Sequence, residues 1–102
     1  MKFMYNSNRY ENVISAICKI KGIRKGELYK ILKDKECKYL LFLLLNKNKC
    51  IDIDSINRDF SINSKRAVNN NIRKAQEKLL INREFREIYF SLQDELDKRR
   101  DV

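Results

Sequence analysis

The stretch Ile53–Leu80 decides the fold of this chain, and it divides into IDSINRDF, SINS and KRAVNNNIRKAQEKLL. These three pieces predict a short helix, a tight polar corner and a longer basic helix. A helix-turn-helix has this order, and its second helix enters the major groove of DNA. The remaining sequence is interpreted as support for this pair. A plain helical hairpin is the alternative.

Apolar residues mark the inward side of both helices. In the short helix they recur at Ile53, Ile56 and Phe60, a spacing that keeps them on one helical face. Asp52 is expected to cap this helix, and Ser64 or Asn63 to cap the longer one. The inward positions of the longer helix are Val68, Ile72, Ala75 and Leu79.

The N-terminal part is expected to form an amphipathic helix. Asn8 and Glu11 have the spacing of a capping box, and Gly22 is typical of a helix end. Glu27–Leu32 is then expected to form one or two helical turns. The predicted inward residues of the first helix are Tyr10, Val13, Ile14, Ile17 and Cys18, and those of the short turns are Leu28, Ile31 and Tyr29.

Two further helices complete the predicted architecture. Tyr39–Leu45 (YLLFLLL) is apolar all round, which favours a buried central helix running from about Lys35 to Asn46. A last helix is expected after a cap at Asn82, with Phe85, Ile88, Tyr89, Leu92 and Leu96 inward. The prediction is an all-α single domain of five to six helices over residues 1–102, with its core at about 9–98 and the helix-turn-helix at about 53–80.

The charge balance points to a polyanionic partner. The chain has 102 residues, a net charge of +9 and a pI near 9.6. Residues 1–81 carry 18 Lys and Arg against 8 Asp and Glu, whereas residues 82–102 carry 5 against 6. The excess therefore lies in the part that holds the helix pair. AT-rich codon usage, which would enrich Asn, Ile and Lys, is the alternative origin of some of this charge.

Other functional classes lack sequence support. There is no histidine, and Cys18, Cys37 and Cys50 form no CxxC pair, so no metal site, cofactor or enzymatic activity is predicted. The cysteines are expected to be small buried hydrophobes of a cytoplasmic protein. The longest apolar run is far shorter than the ~20 residues that span a bilayer, and the prediction is a soluble protein without a membrane partner.

The basic helix carries residue types that recognise duplex DNA. Lys65 and Arg66 lie at its start, where base edges are normally contacted. Asn69 and Asn70 follow one turn later; Asn pairs with adenine, and Arg with guanine. Three consecutive asparagines are unusual inside a helix, and base contact or codon bias would explain them. The predicted DNA-binding residues of this region are Ser64, Lys65, Arg66, Asn69, Asn70, Arg73 and Lys74.

A lysine-rich connection precedes the central helix. The segment of residues 22–38 is GIRKGELYKILKDKECK. It is interpreted either as a solvated charge run or as a loop that contacts DNA phosphates or enters a groove. The predicted phosphate-contacting residues are Lys30, Lys33, Lys35 and Lys38.

The segment from about Val13 to Leu96 resembles the C-terminal DNA-binding domain of the bacterial replication initiator DnaA, which contains a Trp-repressor-like helix-turn-helix. That family has Arg-Gln before an apolar run, then Ser-Leu-Pro-Glu-Ile-Gly, Phe-Gly-Gly-Arg-Asp-His-Ser/Thr-Thr-Val and Ile-Arg-Lys. The matching positions here are Lys38-Tyr39, Asp52–Asn57, Phe60–Val68 and Ile72–Lys74. The resemblance implies the same scaffold and a duplex-DNA role.

The departures from the family pattern concern the base-contacting signature. Asp-His-Ser/Thr-Thr of the family falls on Ser64–Ala67, and the glycine pair of the turn falls on Ser61-Ile62. The arginine-rich loop of the family is shorter here and is built of lysines. Recognition of the family's usual DNA box is therefore not carried over. No GxxxxGK[ST] motif is present, so ATP-driven initiation is not expected either.

Two alternatives to a stand-alone DNA-binding protein remain open. The loss of the signature residues is compatible with a protein-interaction module that modulates an initiator or a transcription complex. RNA binding is compatible with the charge, although no RRM-like or KH-like signature supports it.

Overall fold

The computed structural model describes the backbone of residues 2–100 and the side chains of residues 9–98, and most of this part is helical. In this part there are six α-helices and no strand, so the predicted all-α class is confirmed. A short 3-10 turn, Lys25–Glu27, precedes the second helix. The helices are α1 (Lys2–Lys21), α2 (Tyr29–Lys33), α3 (Lys35–Lys47), α4 (Ile53–Phe60), α5 (Lys65–Ile81) and α6 (Arg83–Arg100).

Helix α3 lies at the centre of the fold. It packs against α1, α2, α5 and α6, and every residue from Leu40 to Leu45 is buried. A helix can be apolar on all sides only when neighbours cover all of its sides. The prediction of a buried helix from about Lys35 to Asn46 is confirmed.

Helix α1 begins at Lys2, so the predicted cap at Asn8 was wrong. No proline or glycine lies between residues 2 and 8, and nothing ends the helix in that direction. The side chain of Asn8 lies outside the described ones. The predicted end at Gly22 is confirmed: its φ is +67°, and the Ile23 N–H donates to the Cys18 carbonyl at 2.9 Å, as in a Schellman motif.

Side-chain caps define the start of α4 and of α5. Oδ1 of Asp52 accepts from the Asp54 N–H at 3.2 Å. Oγ of Ser64 accepts from the Ala67 N–H at 3.2 Å, so Ser64 and not Asn63 caps α5. Both caps satisfy backbone donors that have no partner within the helix.

The corner between α4 and α5 consists of residues 61–64. Ser61 has φ 59° and ψ 35°, and its N–H donates to the Asn57 carbonyl at 2.9 Å. Left-handed backbone is the conformation that glycine adopts without strain. The resemblance to the DnaA domain aligns Ser61 with the first glycine of that family's turn.

One hydrophobic core joins all six helices. Val68 and Ala75 of α5 are buried, while Ile72 and Leu79 are partly buried against the core. The three cysteines are buried and unpaired, as predicted. Burial raises the pKa of Cys37 and of Cys50 to about 11. From α6 the core takes Phe85, Tyr89, Leu92 and Leu96, and the predicted cap is confirmed because Asn82 accepts from the Phe85 N–H at 2.9 Å.

A buried pair of amides links the end of α3 to α6. Nδ2 of Asn48 donates to Oε1 of Gln93 at 3.0 Å, and Nε2 of Gln93 donates to Oδ1 of Asn48 at 3.3 Å. Nδ2 of Asn48 also donates to the Leu44 carbonyl at 2.7 Å. Such reciprocal bonds offset the cost of removing both amides from water.

No helix in the described part of the chain is both long enough and apolar enough to cross a membrane.

Candidate nucleic-acid interface

The outward side of α5 presents a stripe of four polar side chains. Arg66, Asn69, Asn70 and Arg73 border one open depression on the surface. Their spacing of three and four residues places them on a single helical face. Val68 and Ala75, which face the core, lie on the opposite side of the helix. The stripe is therefore accessible without any change in the core.

The predicted α5 residues all lie on this accessible side. Lys65 and Lys74 flank the stripe at its two edges, and both are exposed. Ser64 is exposed too, but its oxygen already accepts the capping bond from the Ala67 N–H. The structure thus brings together the predicted residues of α5. Ser64 caps the helix.

The three consecutive asparagines have different environments. Asn71 is half-buried, and its Nδ2 donates to the Ala67 carbonyl at 2.9 Å. Oδ1 of Asn70 accepts from Nη2 of Arg73 at 2.7 Å. Asn69 is exposed and makes no hydrogen bond to another described side chain or backbone group. Only Asn69 therefore has its whole amide available to a ligand.

The positive charge of α5 is largely uncompensated. The helix contains five Lys and Arg residues and one acidic residue, Glu77. Among the described side chains, no carboxylate forms an ion pair with Lys65, Arg66 or Lys74. The N-terminal end of a helix adds partial positive charge from its free N–H groups. This end of α5 is accordingly attractive to phosphate groups.

The four predicted lysines of the connection differ in their availability. Lys30 is paired with Glu27 at 3.0 Å, and this bond raises the pKa of Lys30. Lys33 and Lys35 are exposed, and Lys38 is half-buried. The Nζ atom of Lys38 lies 5.3 Å from the centre of the Tyr39 ring. Of the four, Lys33 and Lys35 are the exposed lysines that form no ion pair with a described carboxylate.

Tyr29 was predicted to pack inward, and this was wrong. Its side chain is 53% exposed, and the Nζ atom of Lys33 lies 5.2 Å from its ring centre. In the five-residue α2, Ile31 is buried and Leu32 is partly buried against the core, so the inward side is occupied without Tyr29. Leu28 packs partly against the core, as predicted.

The lysine-rich segment adjoins the α4–α5 pair through α2, which packs against both α3 and α4. Two further cations of this segment, Arg24 and Lys25, are exposed. They were not among the predicted residues. Their place in the same basic run of residues 22–38 was the signal that could have found them.

Comparison of the chain with protein-family models, with curated protein sequences and with solved structures finds no match.

Proposed function

We propose that this chain is a double-stranded-DNA-binding protein that resembles the DnaA C-terminal domain. Helix α4, the corner and α5 would act as a helix-turn-helix, with α5 in the major groove. The lysine-rich segment would hold the sugar-phosphate backbone. The observation that carries the proposal is the stripe of Arg66, Asn69, Asn70 and Arg73, exposed on the side of α5 opposite the core.

The shape and the chemistry of α5 support this proposal together. A major groove about 12 Å wide admits one α-helix, provided that one side of the helix is free of other parts of the protein. The outward side of α5 meets this condition. Arginine and asparagine are the side chains that pair bidentately with guanine and adenine, and unpaired cations beside them favour the approach of phosphates.

A salt titration of DNA binding tests the proposal. The anisotropy of a fluorescein-labelled random duplex is measured against protein concentration at several salt concentrations. We expect the logarithm of the binding constant to fall steeply as salt rises, with about one unit of slope for each phosphate contacted. Wild-type protein that binds no duplex at low salt contradicts the proposal.

A matched pair of variants shows whether the basic segment takes part. Replacement of Lys33 by glutamine is expected to reduce the salt slope by about 1. Replacement of Lys19, an exposed lysine of α1, removes the same charge elsewhere and should leave the slope unchanged. Equal slopes for the two variants would exclude a role for Lys33 in phosphate contact.

The second candidate function is a protein-interaction module that modulates an initiator or transcription complex. Three large apolar side chains favour a protein partner, because Leu80, Ile81 and Phe90 are 77%, 84% and 58% exposed. A module that binds only protein would give no steep salt slope with random DNA. The same titration therefore separates the two candidates.

A further inference from the structure

The hydrogen bond between Asn70 and Arg73 indicates that the polar residues of α5 have different roles. We propose that Arg66, Asn69 and Arg73 contact the bases, and that Asn70 is a positioning residue which orients Arg73. This inference rests on the proposed duplex-DNA function and specifies the DNA that would be preferred.

The geometry of the pair assigns the two roles. Oδ1 of Asn70 accepts from Nη2 of Arg73 at 2.7 Å, so the amide oxygen faces along the helix toward the guanidinium. Adenine recognition needs that same oxygen to accept from N6 while the NH₂ group donates to N7. The guanidinium has five N–H donors, and one bond to Asn70 leaves four. Arg73 therefore retains the paired donors that O6 and N7 of guanine require.

The existing hydrogen bonds of the two neighbouring asparagines decide their roles in the same way. The NH₂ group of Asn71 donates to the Ala67 carbonyl within α5, and its side chain is half-buried. The Asn71 amide is therefore bonded to the backbone of α5 and is not assigned a base contact. Asn69 has both its oxygen and its NH₂ group free of bonds to described groups. Asn69 is the asparagine of the three that can offer an adenine the full bidentate pair.

The spacing along α5 specifies the class of target. Arg66 and Arg73 are seven residues apart, which corresponds to about 10 Å along a helix that rises about 1.5 Å per residue. Base pairs are stacked about 3.4 Å apart, and a helix in the major groove lies at an angle to the DNA axis, so residues seven apart reach bases separated by roughly two or three base pairs. Asn69 lies between them. The preferred duplex therefore contains two guanines roughly two or three base pairs apart with an adenine between them.

Selection of binding sites from a random duplex pool tests these roles. The wild type is expected to enrich a site with the two guanines and the adenine. Replacement of Asn69 by alanine should reduce the preference at the adenine about tenfold. Replacement of Asn70 by alanine should relax the same guanine as Arg73→Ala and should leave the adenine unaffected.

A double variant and a conservative variant separate positioning from direct contact. Asn70→Ala should have no further effect on sequence preference once Arg73 is alanine. Asn70→Asp retains the accepting oxygen but not the NH₂ group, so it should keep the guanine preference while binding all duplexes more weakly. Additive effects of Asn70 and Arg73, or loss of the adenine preference in Asn70→Asp, would overturn the inference.

The result distinguishes this inference from the function on which it rests. A wild-type protein that binds no duplex overturns both. A wild type that binds DNA with a steep salt slope, yet selects the same sites as Asn69→Ala and Arg73→Ala, overturns only the assignment of base contacts. Asn69, Asn70 and Arg73 are exposed, so circular dichroism should show all variants folded.

Discussion

The hydroxyl of Tyr10 lies 2.8 Å from Oδ2 of Asp59, and this bond ties α1 to the last turn of α4. The same hydroxyl lies 3.2 Å from the Ser55 carbonyl. Burial, and then the bond to Asp59, raise the pKa of Tyr10 well above its ordinary value. The hydroxyl therefore stays protonated and remains a donor, and it fixes α4 against the body of the domain.

Replacement of Tyr10 by phenylalanine is expected to lower the free energy of unfolding by about 1.5–3 kcal/mol, the value of a hydrogen bond to a charged group. The ring keeps its packing, so the loss reports the contacts of the hydroxyl with Asp59 and with the Ser55 carbonyl. Urea denaturation followed by circular dichroism measures it. Tyr39→Phe is the matched control, since the Tyr39 hydroxyl has no hydrogen-bond partner among the described residues. Equal losses in the two variants would contradict a role for the Tyr10 hydroxyl.

The contribution of Asp59 to stability should depend on pH. Arg58 donates to both carboxylate oxygens, at 3.0 and 3.1 Å, and mainly for this reason the pKa of Asp59 lies below its ordinary value. A carboxylate with a lowered pKa in the folded state stabilises it at neutral pH, and this stabilisation is lost as the pH falls through that pKa. The difference in unfolding free energy between wild type and Asp59→Asn should therefore shrink as the pH falls below the ordinary Asp pKa of about 4.

The Arg58→Ala background provides the control for this pH dependence. Without the guanidinium, the same comparison of Asp59 with asparagine should change less with pH. A difference that is constant across the acid range in the Arg58-containing protein would show that the ion pair does not stabilise the fold.

The left-handed backbone of Ser61 predicts that glycine at this position stabilises the fold. Ser61→Gly is expected to raise the free energy of unfolding by about 0.5–1 kcal/mol, because glycine adopts a positive φ without the cost that a side chain carries. Ser91 is an exposed residue within α6, where Ser91→Gly should instead destabilise by about 0.5 kcal/mol. Thermal melts of the two variants should therefore shift in opposite directions. A lower melting temperature for Ser61→Gly would contradict the strain argument.

The buried amide pair should be sensitive to truncation. Asn48→Ala leaves the amide of Gln93 without its reciprocal partner, and the expected loss is about 1–3 kcal/mol. Asn46 is exposed at the end of the same helix, and Asn46→Ala should change stability by less than about 0.5 kcal/mol. Chemical denaturation of both variants makes the comparison. Similar losses would mean that the amide pair does not contribute.

In DNA binding, Arg66 and Lys33 should behave differently. Arg66→Ala is expected to reduce the preference between duplexes by about 1–3 kcal/mol, since a base contact is lost. Lys33→Ala should weaken binding to all duplexes alike, because phosphates are the same in every sequence. Competition anisotropy with a preferred and a scrambled duplex measures both effects. Equal preference in wild type and Arg66→Ala would exclude base contact by Arg66.

The helix boundaries around the α4–α5 pair could be predicted because capping is local. Asp52, Ser64 and Asn82 each accept from an N–H two or three residues further along the chain, and short-range chemistry of this kind is visible in the sequence. The prediction of a helix cap at Asn8, made from the same kind of pattern, was wrong. A capping pattern marks a helix start only when the preceding residues leave the helix, and here they continue it back to Lys2.

The roles within the asparagine run could not be predicted from residue order. Asn70 has Arg73 three residues later, and Asn71 has a carbonyl four residues earlier. Both partners are permitted by helical spacing, and the choice depends on side-chain rotamers and burial. The sequence could indicate polar residues on α5 but not which of them were already engaged. The helix-turn-helix function and its DNA target stay predictions.

The separation of the two sides of α5 has a consequence for engineering and for evolution. Val68 and Ala75 are buried in the core, while Arg66 and Asn69 are exposed on the other side. Exposed substitutions away from special contacts usually change stability by less than about 0.5 kcal/mol. The outward residues can thus be exchanged one at a time at little cost to stability, so this surface of α5 can change while the fold is kept.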